Sequence, residues 1–279
     1  MRYPSALLLV ALATACSSDD DPHAPFKPTC LENCMVEPPT GSKGVPPSDA
    51  GTGGGGSVDG GVRSLSTNVF VLGDASFTSR ALFEGAGTLT VQGPTFAVAG
   101  DFTGSPAVVA NVEISPLLWV AVEPEATVPD VMRTLQPVDG RAATVDVDIA
   151  RTSIMNDVLN GVTQVVPPPA LDPERAIVVV TFVSAAGVPL PDIQIIDHAG
   201  VAVAYDSGAA SYTDISTRTG PRGIGVVVNA RPKPAFSGSG LPGGTLIMTY
   251  QGLAATTVGS FEVFAAPGSV TFATVRVTR

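Results

Sequence analysis

Apolar residues are unevenly distributed along the chain and divide it into three regions. A short apolar run fills residues 6–13, and polar, Gly-rich and Pro-rich sequence fills residues 17–63. From residue 64 onward, short apolar stretches alternate with Gly, Pro and Asp. Apolar stretches of roughly four to eight residues between turn residues are typical of β-strands. The pattern therefore predicts an apolar leader, a linker and an all-β folded part.

The folded part is predicted to contain many short strands. The segment 144–149 alternates strictly between polar and apolar residues, as a half-buried strand does. Other strand-like stretches lie at 68–72, 87–91, 95–99, 117–122, 177–183, 203–208, 226–229, 245–250, 260–265 and 269–278. A strand about every 8–12 residues, with no sustained helical period, predicts β-sandwich packing.

Residues 152–160 are the exception, because their apolar side chains recur at helical spacing. Ile154 and Val158 are four residues apart and lie on the same face of a helix. Thr152 or Ser153 can cap the first turn with its hydroxyl group. This segment therefore predicts one short helix.

A proline-rich segment after this helix divides the folded part in two. Pro167-Pro168-Pro169 and Asp172-Pro173 cannot donate to a sheet ladder at their prolines, and they stiffen the chain. We therefore predict an N-terminal β domain at residues 64–165 and a C-terminal β-sandwich at residues 174–279.

The first sixteen residues have the features of an export signal. Arg2 precedes the apolar run, which is far shorter than the roughly 20 residues that span a bilayer. Ala13-Thr14-Ala15-Cys16 then resembles the lipobox of bacterial lipoproteins, although Leu12 lies four residues before the cysteine and the family prefers Leu at three. The resemblance implies a signal peptide at residues 1–15 and lipidation of Cys16.

An ordinary secretory signal, which leaves Cys16 as a free thiol, is the alternative. Both interpretations place the protein outside the cytoplasm. In lipoproteins of this kind the residue after the cysteine directs sorting, and Ser17 in that position implies delivery to the outer membrane or cell surface.

Residues 16–63 are predicted to form a lipidated flexible linker, because they contain too few apolar residues to offset the entropy of ordering. A Gly-rich coil of this length spans about 35–40 Å. Cys30 and Cys34 lie within it, and outside the cytoplasm such a pair favours a local disulfide. A metal site there would need more ligands than His23 alone.

The order of turns after residue 174 resembles the carboxypeptidase-regulatory-like, or transthyretin-like, β-sandwich domains. Ala186-Gly187-Val188-Pro189-Leu190 matches a Gly-x-Pro-Leu turn between strands, and Thr219-Gly220-Pro221-Arg222-Gly223 matches a Thr-Gly-x-x-Gly turn before another strand. Glycine at positions 187, 220 and 223 permits positive φ. The resemblance implies an accessory domain with no shared catalytic residues.

Charge excludes one class of partner. The chain has 15 Lys and Arg against 25 Asp and Glu, a formal net charge of −10, so nucleic-acid phosphates would repel it. No catalytic, cofactor-binding or metal-binding residues are assigned.

Five local patterns could suggest a chemical site, and each has a structural interpretation instead. His198 is interpreted as a hairpin-turn residue rather than a base, and Asp146 and Asp148 as a solvated strand face rather than a carboxylate pair. Trp119 is interpreted as core rather than a sugar-stacking platform, and residues 238–243 as a loop rather than a dinucleotide fingerprint. Lys233 lies in a loop-like setting unsuited to an isopeptide cross-link.

These observations predict a non-enzymatic, membrane-anchored envelope lipoprotein that acts as a structural or protein-interaction module. A glycan-binding surface module is the alternative, with exposed aromatic residues as its signature. An envelope hydrolase that uses carboxylates is a third hypothesis, and it requires a cleft lined by two inward acidic residues. The expected partners are the membrane, through the lipid anchor, and envelope proteins or glycans.

Overall fold

The computed structural model describes residues 61–208, 210–234, 244–253 and 257–278. Within these residues the chain forms one helix and a series of strands. The strands are β1 Val62–Leu72, β2 Arg80–Leu82, β3 Ala86–Gln92, β4 Ala97–Thr103, β5 Ala107–Glu113, β6 Leu118–Pro124, β7 Arg133–Val138, β8 Thr144–Ile149, β9 Ala176–Ser184, β10 Gln194–Asp197, β11 Ala202–Asp206, β12 Tyr212–Thr213, β13 Ile224–Ala230, β14 Lys233–Pro234, β15 Gly244–Gln251, β16 Val258–Ala265 and β17 Ser269–Val277. The helix α1 spans Thr152–Asn160. The predicted all-β fold with one short helix is confirmed.

The first part of the chain forms a sandwich of two sheets. In one sheet, β1 is central, with β2 and β5 antiparallel along one edge and β8 parallel along the other. The opposing layer contains β3, β4, β6 and β7 in antiparallel order. Alternate residues of both layers meet in a core that includes Leu65, Leu89, Leu118 and Val147.

The second part forms another sandwich. Strand β15 pairs with β16 along one edge and with β10 and β14 along the other. This sheet faces the layer formed by β11, β13, β9 and β17. Their shared core includes Phe182, Met248, Phe261 and Val275.

A short parallel contact joins the two sandwiches. The layers β4-β3-β6-β7 and β17-β9-β13-β11-β12 form one nine-stranded sheet in the described residues, and β7 meets β17 in parallel. Only three residue pairs form this junction, from Ser269–Arg133 to Thr271–Leu135. Trp119 of β6 also packs edge-on against Phe264 of β16. Whether residues 64–165 and 174–279 are separate domains stays a prediction.

Strand β9 is buried on both faces, which explains its uninterrupted apolar sequence. Val178, Val180 and Phe182 face the β15 sheet, whereas Ile177 and Val179 belong to a third cluster with α1. Helix α1 contributes Ile154, Met155, Val158 and Leu159 to that cluster. The helix therefore shields a sheet face that would otherwise be apolar and exposed.

The start of α1 differs from the prediction that Thr152 or Ser153 would cap it. The N-cap residue is Arg151, whose side chain makes no capping hydrogen bond. Asp130 supplies the cap from the loop between β6 and β7: its Oδ1 accepts from the Ser153 amide at 2.9 Å, and its Oδ2 from the Ser153 hydroxyl at 2.6 Å. The helix is therefore capped by a residue distant in sequence, whereas the local pattern predicted a cap from the helix's own first residues.

The Thr-Gly-x-x-Gly turn is organised around the buried Asp206. Its carboxylate accepts from the amides of Gly220, Arg222 and Ile224 at 3.0, 3.1 and 2.9 Å. Gly223 has the expected positive φ of 68°, and so does Gly187 at 77°. Gly220 does not have positive φ; it is required because a Cβ there would lie 2.2 Å from the Asp206 carbonyl oxygen.

Candidate functional site

A cleft of about 470 Å³ lies where the two sandwiches meet, and we call it the junction cleft. Its size falls within the range of roughly 300–1,000 Å³ that is usual for small-molecule sites. The lining residues are Phe77, Thr78, Arg80, Gln136, Pro137, Asp148, Val179, Thr181, Val183, Gly187, Pro189, Phe272, Ala273, Thr274 and Arg276.

Three strands of the nine-stranded sheet supply most of the cleft floor. The pairing between β7 and β17 ends at Leu135 and Thr271, and residues immediately beyond this point on both strands line the cleft. Thr181 of β9 and Thr274 of β17 are register partners, and both are half-buried. The floor is therefore built by side chains on one face of a sheet, just past the junction.

The loop between β1 and β2 forms one wall. It carries Phe77, whose φ of 58° is left-handed and costs a bulky residue about 1–2 kcal/mol. The Phe77 ring packs against Tyr212 at 5.8 Å and Phe272 at 5.6 Å between centroids. Tyr212 also donates its hydroxyl to the Ala75 carbonyl at 3.0 Å. These contacts from the second sandwich hold the strained residue in the wall.

Arg80, beside this wall, is held in one orientation. Its Nη2 donates to Asp148 Oδ2 at 2.8 Å, and its Nη1 lies 3.8 Å from Asp146 Oδ2. The guanidinium also lies over the Phe70 ring, 5.4 Å from its centroid. The Arg80 side chain remains 29% exposed, so a fixed cation faces solvent at the cleft.

Asp148 is buried, which contradicts its interpretation as part of a solvated strand face. The residue is only 8% exposed, because Arg80 and Gln136 cover the side of β8 that points away from the core. Gln136 Oε1 accepts from the Asp148 amide at 3.0 Å, and its Nε2 donates to the Asp146 carbonyl at 3.3 Å. Asp146 is half-buried and accepts from Asn68 at 2.9 Å.

Burial raises the pKa of Asp148 to about 6, against the opposing effect of the Arg80 charge. The nearby Asp146 carboxylate adds to the increase. Asp148 Oδ1 is buried without a hydrogen-bond partner among the described residues. The ionised form is thus incompletely satisfied, and the group can change its charge under mildly acidic conditions.

His198 does not lie in a hairpin, contrary to prediction. It follows β10, which pairs with β15, and precedes β11, which pairs with β13, so the turn connects two different sheets. Its Nδ1 accepts from the Gly200 amide at 3.2 Å, and burial lowers its pKa. Trp119 is buried in the core as predicted.

Several predicted features lie outside the described residues. These are Cys16 with its lipidation, the Cys30–Cys34 disulfide, His23 and the loop at residues 238–243. Among the residues that the structure does describe, no group of three or more His, Cys, Asp or Glu side chains is placed to hold a metal ion. The same residues contain no helix that is long and apolar enough to cross a membrane.

Sequence reasoning missed Arg80, Phe77 and Phe272 as cleft residues. A weak signal existed for Phe77, which is a lone aromatic residue in the polar stretch Ala75-Ser76-Phe77-Thr78-Ser79. Arg80 and Phe272 carry no such signal, because only the pairing of distant strands brings them together.

The fold defines this chain as an all-β protein of sandwich packing, with a side-chain-lined cleft at the junction. No protein-family model matches the chain, and no curated protein matches it. Among solved structures, the Bacillus anthracis TIE protein is similar with 12% sequence identity and a TM-score of 0.21, covering 77% of this chain and 34% of that one. The chain thus spans about a third of that structure, and a likeness of this size supports no statement about function.

Proposed function

We propose that this chain is an exported lipoprotein, anchored through Cys16, whose β-sandwich body is a non-catalytic binding module at the cell envelope. The observation that carries the proposal is the N-terminal arrangement: an apolar run, Ala-Thr-Ala before Cys16, and a polar Gly- and Pro-rich linker up to the folded body. A lipid anchor with such a linker suits a module that acts on partners near a membrane surface.

The same proposal assigns the second sandwich to the carboxypeptidase-regulatory-like class. Support comes from the Thr219–Gly223 turn, whose amides are bound by Asp206, and from the positive φ of Gly187 and Gly223. His198 is assigned a structural role in this view, since its Nδ1 is engaged by its own turn.

A single substitution tests the anchor. Cys16→Ser should move the protein from the detergent-soluble membrane fraction to the soluble extracytoplasmic fraction, because the substituted side chain cannot accept the thioether-linked lipid. Cys30→Ser is the matched control, and it should leave the protein in the membrane fraction. Membrane association that persists unchanged in Cys16→Ser would refute the lipoprotein proposal.

A second candidate function is glycan binding, and the junction cleft is the observation that favours it. Two half-buried aromatic rings, those of Phe77 and Phe272, line a cleft that also presents threonine hydroxyls and guanidinium groups. The glycan hypothesis requires exposed aromatic residues, and these two rings keep part of their surface exposed beside hydrogen-bonding groups. The alternative of a general protein-interaction surface does not call for such a cleft.

A further inference from the structure

We propose that the junction cleft binds a saccharide bearing a carboxylate, such as a uronic acid unit, with Arg80 as the principal cation that meets the carboxylate. This inference rests on the glycan-binding candidate function above and names its ligand class. It is independent of lipid anchoring, so purified protein can test it without reference to Cys16.

The first support is the charge of the cleft. Its lining residues include two arginines, Arg80 and Arg276, and one carboxylate, Asp148. Asp146 is not a lining residue, but its Oδ2 lies 3.8 Å from Arg80 Nη1. In a protein with a net charge of −10, this cleft is therefore locally neutral when Asp148 is ionised and positive when Asp148 is protonated. An anionic group meets far less repulsion here than the average charge of the protein would impose.

The second support is the fixed orientation of the Arg80 guanidinium. Asp148, Asp146 and the Phe70 ring hold it, while part of the group remains exposed. A planar guanidinium can form paired hydrogen bonds with a carboxylate. Because Arg80 is already ordered, binding a carboxylate costs less side-chain entropy than it would with a flexible lysine.

The third support is the chemistry of the cleft floor. Thr181 and Thr274 project side by side from paired strands there, and both carry hydroxyl groups. A sugar ring carries its hydrogen-bonding groups around its periphery and has apolar faces that can contact Phe77 and Phe272.

Asp148 couples this binding to pH. The charged groups near it are Arg80 on β2 and Asp146 on its own strand, while β7 presents the neutral Gln136 and β17 contributes Arg276 to the same cleft. As the pH falls through about 6, the Asp148 carboxyl becomes neutral and no longer offsets the Arg80 charge, while its oxygen can still accept the Arg80 hydrogen bond. A uronate, with a pKa near 3.5 like that of an α-carboxyl group, stays ionised there.

Calorimetric titration of the full-length protein in detergent tests the proposal with three probes. These are trigalacturonate, the neutral trisaccharide galactotriose, and an end-blocked triaspartate peptide of the same charge. Trigalacturonate should bind at least about tenfold more tightly than either of the others, and more tightly at pH 5 than at pH 7.5. Equal binding of the neutral sugar overturns the role of the carboxylate, and preferential binding of the peptide overturns the saccharide assignment. The absence of binding by all three overturns the proposal as a whole.

Variants locate the binding. Arg80→Gln should weaken trigalacturonate binding about tenfold or more, as expected for loss of a charged hydrogen-bonding partner. Arg141→Gln is the matched control, because Arg141 is a well-exposed arginine outside the cleft and should bind as the wild type does. Phe77→Leu and Thr274→Val should also weaken binding. These two variants test the location of the ligand independently if Arg80→Gln fails to fold.

Asp148→Asn tests whether the ionisation of Asp148 controls binding or whether this residue has only a structural role. It should bind trigalacturonate at pH 7.5 as tightly as the wild type does at pH 5, with little remaining pH dependence. Wild-type affinity that is unchanged between the two pH values would overturn the coupling, and unchanged affinity in Arg80→Gln, Phe77→Leu and Thr274→Val would place the ligand elsewhere.

Discussion

The Asp148 carboxyl lies under Arg80 and beside Gln136, with one oxygen unpartnered. Its pKa of about 6 means that the folded protein retains a proton between pH 4 and 6 that the unfolded chain releases. The unfolding free energy contributed by this group is therefore highest below pH 4, falls as the pH rises to about 6, and is constant above that.

Asp148→Asn should remove this dependence. Relative to the wild type, we expect the variant to gain on the order of 2–3 kcal/mol of unfolding free energy as the pH is raised from 4 to 7. Urea denaturation of both proteins at several pH values measures the difference, in which the other carboxyl groups cancel. Curves that run parallel across this range would contradict the raised pKa.

The burial of Asp148 also shows which property of a single residue could not be predicted from the sequence. The alternation at 144–149 correctly predicted β8, and Val145 and Val147 do face the core. It was wrong about the other face for Asp148, because nothing local reveals that Arg80, 68 residues away in sequence, comes to cover it. The chemistry of the side chain follows from that distant neighbour.

At the level of elements, the apolar stretches predicted most strands to within a few residues. The stretch at 95–99 was less accurate, since Phe96 lies in a turn and β4 is Ala97–Thr103. Two of the longer strands, β5 and β7, were not predicted, and neither were the short strands β2, β12 and β14. Strand β7 includes Gln136 and Pro137, which interrupt its apolar pattern. The pairing of strands could not be predicted from the sequence. The parallel contacts β1–β8 and β7–β17 connect strands that are distant in sequence, and no local pattern marks them as partners.

Helix α1 depends on a loop residue for its first turn. Asp130→Ala should lower the unfolding free energy by about 2 kcal/mol, through loss of the cap and through strain, because Asp130 has a positive φ of 60°. Asp130→Asn keeps an acceptor and tolerates this conformation, so its loss should be less than half as large. Urea midpoints of the two variants compare them directly, and equal losses would argue against capping.

At the level of the whole molecule, two features join the sandwiches: three residue pairs between β7 and β17, and an apolar cluster with residues from both parts of the chain. Helix α1 belongs to the first part of the chain by the predicted boundary, yet its side chains cover β9 and β13 of the second. A fragment that begins at residue 174 therefore loses the cover of one sheet face.

We expect fragment 174–279 to show a β-type circular dichroism spectrum but a low melting temperature and strong binding of a hydrophobic dye. Fragment 150–279, which restores α1, should melt at a higher temperature and more cooperatively, although below the full chain. Equal melting of the two fragments would show that the helix contributes little and that the boundary at residue 174 is adequate.

Strand β9 has a consequence for the chain before it folds. Ile177 to Val183 is an uncharged run without proline that consists of β-branched residues and one phenylalanine, which is the composition of segments that assemble into intermolecular cross-β structure. In the folded protein β13, β17 and α1 enclose it, whereas an unfolded chain presents it openly. The charged pair Glu174 and Arg175 precedes the run with only Ala176 between them, in the position where gatekeeper residues oppose self-association. Solubility of the newly made chain thus depends on how quickly this one strand finds its neighbours.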